Sequence, residues 1–313
     1  MKRKLLLVMT IVSIIVLTSC GDKTLENAET AVNLYNEQLS IYNEQVLPFN
    51  TAVQEINEAN AKVDDLVTLA QSSVSKGESP YDPNTYLELK TSLNTLQATK
   101  VQAPDSLPSY KKISIEENAD KETLKLLTEQ AKKDLETMKT VIIPEIPEVL
   151  SYAEVLQNTE ISLKNYNDSV QALKLVTAPS DAFVMERLKR VDTILAMDAV
   201  TEDNDPNQQL NKQGGYIGCI FFSDKQVDRS KLYIDVDTVI GIATDGGGAI
   251  EIFKSKSDAE KRNEYLSAFD GGVLSSGSHH VLGTVVIRTS TYLKASQQLE
   301  LTEKIKTALL ELN

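Results

Sequence analysis

Residues 28–74, AETAVNLYNEQLSIYNEQVLPFNTAVQEINEANAKVDDLVTLAQSSV, decide the fold of the N-terminal half of the chain. Mostly apolar side chains recur there over 47 residues, in steps that alternate between four and three. The positions of this seam are Ala28, Val32, Tyr35, Leu39, Tyr42, Val46, Phe49, Val53, Ile56, Asn60, Val63, Val67, Ala70 and Val74. Such heptad spacing predicts one long helix that packs against other helices.

Pro48 and Asn60 are the two irregular residues of this stretch. A proline inside a helix costs about 3 kcal/mol, yet the pattern keeps its phase across Pro48, which predicts a kinked helix rather than a loop. Asn60 occupies a seam position, where a buried amide can fix the register of a coiled coil. The alternative is that Asn60 lies at a wet edge of the seam, and the pattern leaves both open.

Further helices are expected after the first one. Apolar residues return at helical spacing in three stretches, which begin at Tyr86, Leu124 and Val149. The only glycine between residues 28 and 176 is Gly77, so nothing in this region suggests hairpins or strands. We therefore expect residues 28–176 to form an elongated helical bundle of coiled-coil character.

The first 19 residues predict export. Lys2, Arg3 and Lys4 precede an uncharged apolar run from Leu5 to Leu17. Its 13 residues are too few for the roughly 20 that a spanning helix needs. A basic start followed by a short apolar run is typical of a signal peptide, which we assign to residues 1–19.

The residues Leu17-Thr18-Ser19-Cys20 end this run and resemble the lipobox of bacterial lipoproteins. The resemblance implies that Cys20 becomes the mature N-terminus and carries acyl chains such as palmitate. Residues 20–27 would then be a lipidated tether at the extracellular face of the bacterial cytoplasmic membrane. Two acyl chains hold a protein stably at a bilayer, whereas one binds only marginally. The alternative is a soluble secreted protein that the general signal peptidase has cut.

Pro144 and Pro147 decide how far the C-terminal part of the chain lies from that anchor. If the two prolines only kink one long helix, residues 23–176 form a three-helix bundle and the next domain lies far from the membrane. If they reverse the chain, that domain lies near the membrane.

Charge and cysteine content restrict the possible partners. Residues 1–19 hold three of the 32 basic residues and none of the 45 acidic ones, so the remainder has a net charge of −16. An acidic chain gains nothing from counterion release at nucleic acids and is repelled by anionic headgroups. We expect no nucleic-acid partner and membrane attachment only through Cys20. Cys219 is the one other cysteine, which excludes an intramolecular disulfide framework in the mature chain.

Composition changes at Thr177-Ala178-Pro179, the predicted start of a second domain, residues 180–313. An amphipathic helix is expected from Val184 to Leu195. Strands are predicted at 199–202, 216–223, 249–254 and 281–289. Two helices are interleaved, one opened by a capping box at Ser257-Asp258-Ala259-Glu260 and one carrying Leu301 to Leu312. The order α-β-β-β-α-β-α predicts an α+β domain with an antiparallel or mixed sheet and helices on one face.

Two parts of the chain resemble known families. Residues 81–86 with Leu89 and Leu93 resemble the start of FIVAR-type helical modules of Gram-positive surface proteins. Residues 180–313 resemble an uncharacterised C-terminal domain of Gram-positive cell-surface lipoproteins. The matching stretches are AVTEDNDPN (199–207), DGGGAIE (245–251), DAEKRNEYL (258–266) and SGSHH (276–280). The resemblance implies a cell-surface lipoprotein and brings no catalytic residues.

Asp203, Asp205 and Asn207 form the first candidate ligand site. They alternate as the first three ligands of a calcium loop do. Gln208 stands where the turn needs glycine, and Gly214 stands where the bidentate glutamate should be. We therefore expect a polar loop and no metal, with an improvised calcium site that uses neighbouring acids as the alternative.

Asp245 and the run Gly246-Gly247-Gly248 form the second candidate. Backbone amides of such a run can bind a phosphate or carboxylate. No lysine or helix start follows, and glycines before a strand are typical of a turn or of two backbones in close approach. We prefer that structural interpretation.

His279 is the third candidate. It is followed by His280, and adjacent residues of a strand point to opposite faces, which disfavours a metal bound by both. A zinc site of known ligand pattern is not expected with Cys219 as the sole thiol. Cys219 itself lies in an apolar strand and is expected to be an inert core thiol.

We predict neither a cofactor nor a catalytic residue. The preferred hypothesis is a lipid-anchored surface protein with a binding, scaffold or adhesion role, whose partner is an envelope or extracellular protein or glycan. The rival is a hydrolase of envelope material in which Asp245, Ser278 and His279 share one cleft, although Ser278 lacks the nucleophile elbow. A solute-binding subunit would need two α/β lobes, and only one fits.

Overall fold

The computed structural model describes residues 23–147, 152–232, 236–272 and 277–312. In chain order its elements are α1 Thr24–Ser75, α2 Asn84–Thr99, α3 Lys121–Thr140, α4 Tyr152–Leu175, α5 Asp181–Leu188, β1 Ile194–Ala199, β2 Gly218–Asp224, α6 Val239–Ile242, β3 Gly247–Ile252, α7 Lys256–Ser267, β4 His279–Leu282, β5 Val285–Thr289 and α8 Ala295–Leu310. Helices followed by an α+β region confirm the predicted fold class. The predicted signal peptide, Cys20, Val149 and Ser276 lie outside the described residues.

Helix α1 runs unbroken through Pro48, so the prediction of a helix rather than a loop is confirmed there. Twelve of the fourteen seam residues are buried, and the other two, Asn60 and Val74, are partly buried. The heptad pattern thus marks the buried face of α1 correctly along its length.

The chain divides into two compact units, residues 1–61 with 101–149 and residues 62–100 with 150–313. In the first unit, α1 and α3 share a core that includes Tyr35, Val46 and Met138. Helix α3 begins after Asp120, whose carboxylate accepts a hydrogen bond from the backbone amide of Thr123 at 2.7 Å. Residues 141–147 form neither helix nor strand, so α3 and α4 are separate helices and Pro144 does not kink a continuous one.

In the second unit, α2 packs against α4. Leu89 and Leu96 of α2 are fully buried, and the hydroxyl groups of Ser92 and Ser162 form a hydrogen bond of 2.9 Å between the two helices. The end of α4 then joins the C-terminal core, because Val176 is fully buried there. The predicted boundary at residues 177–179 lies inside this unit, and independent folding of residues 180–313 stays a prediction.

The sheet of the second unit has the strand order β1-β2-β3-β5-β4, and every pair is antiparallel. Side chains alternate between two apolar cores. One face carries Ile220, Phe222 and Ile250 and packs against α5 and α8. The other carries Cys219, Phe221 and Ala249 and packs against α7. The antiparallel alternative is therefore correct, whereas the expectation that all helices lie on one face is wrong.

The boundaries of several C-terminal elements differ from the prediction. Strand β1 begins at Ile194, within the stretch expected to be helical, and ends where the predicted strand begins. The run 281–289 forms two strands rather than one, since Gly283 takes a positive φ of 61° and turns the chain between β4 and β5. Helix α7 is capped by Ser255, two residues before the predicted serine, whose hydroxyl accepts from the amide of Asp258 at 3.2 Å.

Candidate functional site

Asp205 organises the loop between β1 and β2 rather than offering a calcium ligand. Its carboxylate accepts hydrogen bonds from the backbone amides of Asn207, Gln209 and Leu210 at 2.7 to 3.0 Å, and from the hydroxyl of Tyr216. Burial opposes ionisation of this side chain, but these four hydrogen bonds outweigh burial and lower its pKa. Burial, together with the hydrogen bond to Asp205, raises the pKa of Tyr216.

The other two members of the calcium-like pattern, Asp203 and Asn207, are exposed. Asn207 donates from its amide side chain to the hydroxyl of Tyr216 at 3.3 Å. Among the described residues, no group of three or more His, Cys, Asp or Glu side chains is arranged to hold a metal ion. The geometry therefore favours the polar loop over the calcium site.

The glycine run lies partly inside the sheet. Gly248 pairs with Phe222 on one side and Thr289 on the other. A Cβ atom on Gly248 would lie 2.2 Å from the carbonyl oxygen of Arg288. One on Gly247 would lie 2.6 Å from the backbone nitrogen of Asp224. These two glycines are thus required for close backbone approach, and a ligand need not be invoked for them.

Gly246 and Asp245 precede β3 in a short 3₁₀ turn. The backbone carbonyl of Asp245 accepts a hydrogen bond from the hydroxyl of Ser290 at 2.7 Å. Burial raises the pKa of the Asp245 carboxyl group, and the nearby guanidinium of Arg288 opposes that rise. Asp245 is thus a half-buried acid beside a buried cation.

Both ring nitrogens of His279 are engaged. Nδ1 lies 2.7 Å from the amide oxygen of Asn263, and Nε2 lies 3.2 Å from the carboxylate of Asp270. Ser278 instead pairs with the hydroxyl of Thr289 at 2.6 Å. Because both ring nitrogens of His279 contact other side chains and the hydroxyl of Ser278 pairs with Thr289, the structure does not bring Ser278 and His279 together as a nucleophile and its base.

A buried ion cluster lies on the same face of the sheet as His279 and was not predicted. Glu251 is fully buried and accepts two hydrogen bonds from Arg262, at 2.7 and 2.8 Å, and one from Arg288 at 2.8 Å. Burial disfavours the charged form of Glu251, but the hydrogen bonds and the two positive charges lower its pKa. A glutamate inside an otherwise apolar strand was the available signal for this cluster.

Cys219 is the register partner of Glu251 and lies in the same core. It is fully buried. Burial and the neighbouring carboxylate of Glu251 raise the pKa of its thiol. A protonated, inaccessible thiol agrees with the interpretation of an inert core cysteine.

Two aromatic rings lie above these ions, Tyr265 on the exposed side of α7 and the partly buried Phe269 just after its end. The rings of Tyr265 and Phe269 meet edge to face with their centroids 5.1 Å apart. The guanidinium of Arg262 lies 5.5 Å from the centroid of the Tyr265 ring, and Tyr265 is 58% exposed. We call Arg262, Tyr265 and Phe269 the α7 cluster. Because Glu251 holds Arg262 from below, the cluster sits on a fixed base.

Comparison with known proteins finds no family model, no curated protein and no solved structure that matches this chain. The FIVAR-type and lipoprotein resemblances therefore stay predictions from the residues quoted above. Among the described residues, no helix combines the length and apolar character needed to cross a membrane.

Proposed function

We propose that this protein is a lipid-anchored surface protein of a bacterium, held at the extracellular face of the cytoplasmic membrane through Cys20. Its role is to bind an envelope or extracellular protein or glycan with the C-terminal α+β domain. The proposal rests on the lipobox-like sequence for the address and on the α7 cluster for the activity.

The observation that carries the binding role is the α7 cluster, in which the ring of Tyr265 is exposed. Tyrosine and arginine are the residue types that most often dominate binding energy at interfaces. Here the side chain of Arg262 is fixed by two hydrogen bonds to the buried Glu251, so little side-chain freedom remains to be lost on binding. An exposed tyrosine ring on a fixed base supports recognition of a partner.

The rival hydrolase lacks comparable support. It needs Ser278, His279 and Asp245 in one cleft, whereas Ser278 pairs with Thr289 and His279 pairs with Asn263 and Asp270. A serine nucleophile needs its base within hydrogen-bond reach. The separate contacts of these side chains favour binding over hydrolysis.

The test uses the full protein, immobilised and incubated with purified cell-envelope fractions. We expect the double variant Tyr265→Ala, Phe269→Ala to retain at least ten-fold less of the captured component than the natural protein. Leu299→Ala is the matched control, because Leu299 is 66% exposed on α8 and makes no part of the cluster. Equal capture by the double variant would refute a role for α7.

A parallel measurement tests the rival. Envelope material is incubated with the protein, and soluble fragments released from it are quantified. Release that disappears in the variants Ser278→Ala and His279→Ala would establish the hydrolase and overturn the binding proposal.

A further inference from the structure

A long segment without helix or strand connects α2 to α3. It runs from Lys100 to Asp120. Irregular connections longer than about 15 residues are uncommon in compact proteins, and those that occur are usually binding loops, lids or linkers. Residues 101–116 of this segment, which we call the strap, lie along α1 within the first unit.

Two asparagines of α1 each exchange a pair of hydrogen bonds with the main chain of the strap. The side chain of Asn50 donates to the carbonyl of Leu107 at 2.9 Å and accepts from its amide at 2.8 Å. The side chain of Asn36 does the same with Ile113, at 2.8 and 3.0 Å. Each carboxamide thus takes the place that a neighbouring strand would take beside an extended chain.

Three further side chains of α1 donate to carbonyl groups of the strap. The hydroxyl of Tyr35 donates to Lys111 at 2.7 Å, and the hydroxyl of Tyr42 donates to Pro108 at 2.6 Å. The amide of Asn60 donates to Val101 at 2.9 Å. Asn60 is partly buried, and its contact with the strap is a third use of this seam position besides the two that the sequence left open. All five side chains recognise main-chain atoms, which every peptide has.

Apolar side chains of the strap also pack on the helices, and they determine which peptide sequences this surface of α1 would prefer. The rings of Tyr110 and Tyr42 meet edge to face at 5.4 Å. The strap residues that pack on the α1–α3 core are Leu107, Tyr110, Ile113 and Ile115. Proline is accepted at position 108 because only its carbonyl is used. The surface therefore fits an extended segment with apolar residues at relative positions 0, 3, 6 and 8.

We propose that this surface of α1 is a binding site for extended peptides, and that the strap is its intramolecular occupant. A partner protein would insert an extended segment with the same apolar spacing and displace the strap. The main-chain contacts supply affinity and the apolar positions supply selectivity, as in other modes of extended-peptide recognition. This site is separate from the α7 cluster and does not depend on its role.

The probe is a fluorescein-labelled synthetic peptide of residues 104–116, PDSLPSYKKISIE. The natural full-length protein should bind it weakly, since the tethered strap competes at an effective concentration of about a millimolar. The variant Leu107→Ser, Ile113→Ser loosens the strap and leaves α1 unchanged. We expect it to bind the peptide at least ten-fold more tightly, as measured by fluorescence anisotropy.

Substitutions on α1 identify the site. When Asn36→Ala and Asn50→Ala are introduced into the variant with the loosened strap, peptide binding should weaken at least ten-fold. Asn33→Ala, on an exposed position of the same helix, should leave it unchanged. Circular dichroism at 222 nm establishes that each variant keeps its helices. A folded, loosened variant that binds the peptide no better than the natural protein overturns the proposal.

Hydrogen exchange on the natural protein covers the case in which the loosened variant fails to fold. The amides of Leu107 and Ile113 are protected by Asn50 and Asn36. Millimolar peptide should raise their exchange rates at least five-fold, and a scrambled peptide should not. If the variant is unfolded, unchanged protection of both amides overturns the proposal.

Discussion

At the scale of single residues, Glu251 is the group whose loss should cost most. It holds two guanidinium groups in a buried site, so Glu251→Gln removes the carboxylate to which both of them donate. Removal of one partner from a buried ion cluster destabilises by about 4 kcal/mol. We expect that loss in the free energy of unfolding by urea. Glu260→Gln, an exposed partner of Lys256, should change stability by less than about 0.5 kcal/mol, and a similar cost for both would contradict the prediction.

The same residue makes stability depend on pH. The pKa of Glu251 is lower in the folded protein than in the unfolded chain, because Arg262 and Arg288 outweigh the effect of burial. A lowered carboxyl pKa adds stability above the unfolded value, and that stability is lost as pH falls through the folded value. Unfolding free energy should therefore decrease from about pH 5 downwards. The Glu251→Gln variant should show a shallower decrease.

Asp205 gives the second prediction at this scale. Asp205→Ala leaves the hydroxyl of Tyr216 and three backbone amides without their acceptor, which should cost about 3 kcal/mol in urea unfolding. Asp203→Ala is the control, because Asp203 is exposed.

Calcium gives a further test of this loop. Since the Asp205 carboxylate already accepts four hydrogen bonds, millimolar calcium should move the melting temperature of the protein by no more than about two degrees, which for a domain of this size is below ~1 kcal/mol. A rise in melting temperature of about ten degrees would instead support the calcium-site alternative.

Residue-level predictions from sequence succeed where a local pattern determines the environment. Gln208 and Gly214 already disfavour a calcium loop in the sequence. The structure adds that the carboxylate of Asp205 accepts hydrogen bonds from its own loop and from Tyr216. The ion cluster could not be predicted in the same way. Glu251 and Arg262 are eleven positions apart, and only the packing of α7 on the sheet brings them together.

At the scale of elements, the glycine run at the start of β3 offers an internal comparison. A Cβ atom on Gly248 would lie 2.2 Å from a backbone oxygen, whereas one on Gly246 would lie 3.1 Å from the Cγ2 atom of Ile242, which needs to shift by only a few tenths of an ångström. Overpacking of a core usually costs about 1 to 3 kcal/mol. We expect Gly248→Ala to cost about 3 kcal/mol or more and Gly246→Ala about 1 kcal/mol, measured by urea unfolding. Equal costs would mean that the strand shifts to admit the methyl group.

Element types were predicted well where one face of a long element is buried and poorly where tertiary contacts decide. The heptad seam marks α1 across Pro48 because its positions follow one another in thirteen steps of four or three residues without a break in phase. Strand β1 was missed because it is an edge strand, and Leu195 there is 67% exposed. The strap was also missed, since extended chain that is held by side chains of a helix has no periodicity of its own.

At the scale of the whole molecule, the anchor is the first property to test. Cys20→Ala should leave an unprocessed precursor that does not incorporate labelled palmitate, because the cysteine is both the cleavage signal and the acylated residue in the proposal. Cys219→Ala is the control, as Cys219 is buried in the core, and should be labelled like the natural protein. A mature Cys20→Ala protein that still carries acyl chains would refute the assignment.

The boundary of the C-terminal domain provides the last prediction. Residues 180–313 have their own apolar helices and sheet, and we expect that fragment to melt cooperatively with mixed α and β circular dichroism. It lacks Val176, however, which is fully buried against the sheet and whose carbonyl accepts from the amide of Thr284 at 2.9 Å.

A buried valine is worth about 2 kcal/mol and a backbone hydrogen bond about 1 kcal/mol. A fragment of residues 172–313 should therefore be about 3 kcal/mol more stable in urea than residues 180–313. Val176→Ala in the longer fragment is the matched control. This variant keeps the backbone hydrogen bond to Thr284 and loses only part of the buried apolar side chain. Its stability should therefore lie between those of the fragments 172–313 and 180–313. Equal stability of both fragments would place the boundary at residue 180 and make the end of α4 dispensable to the domain.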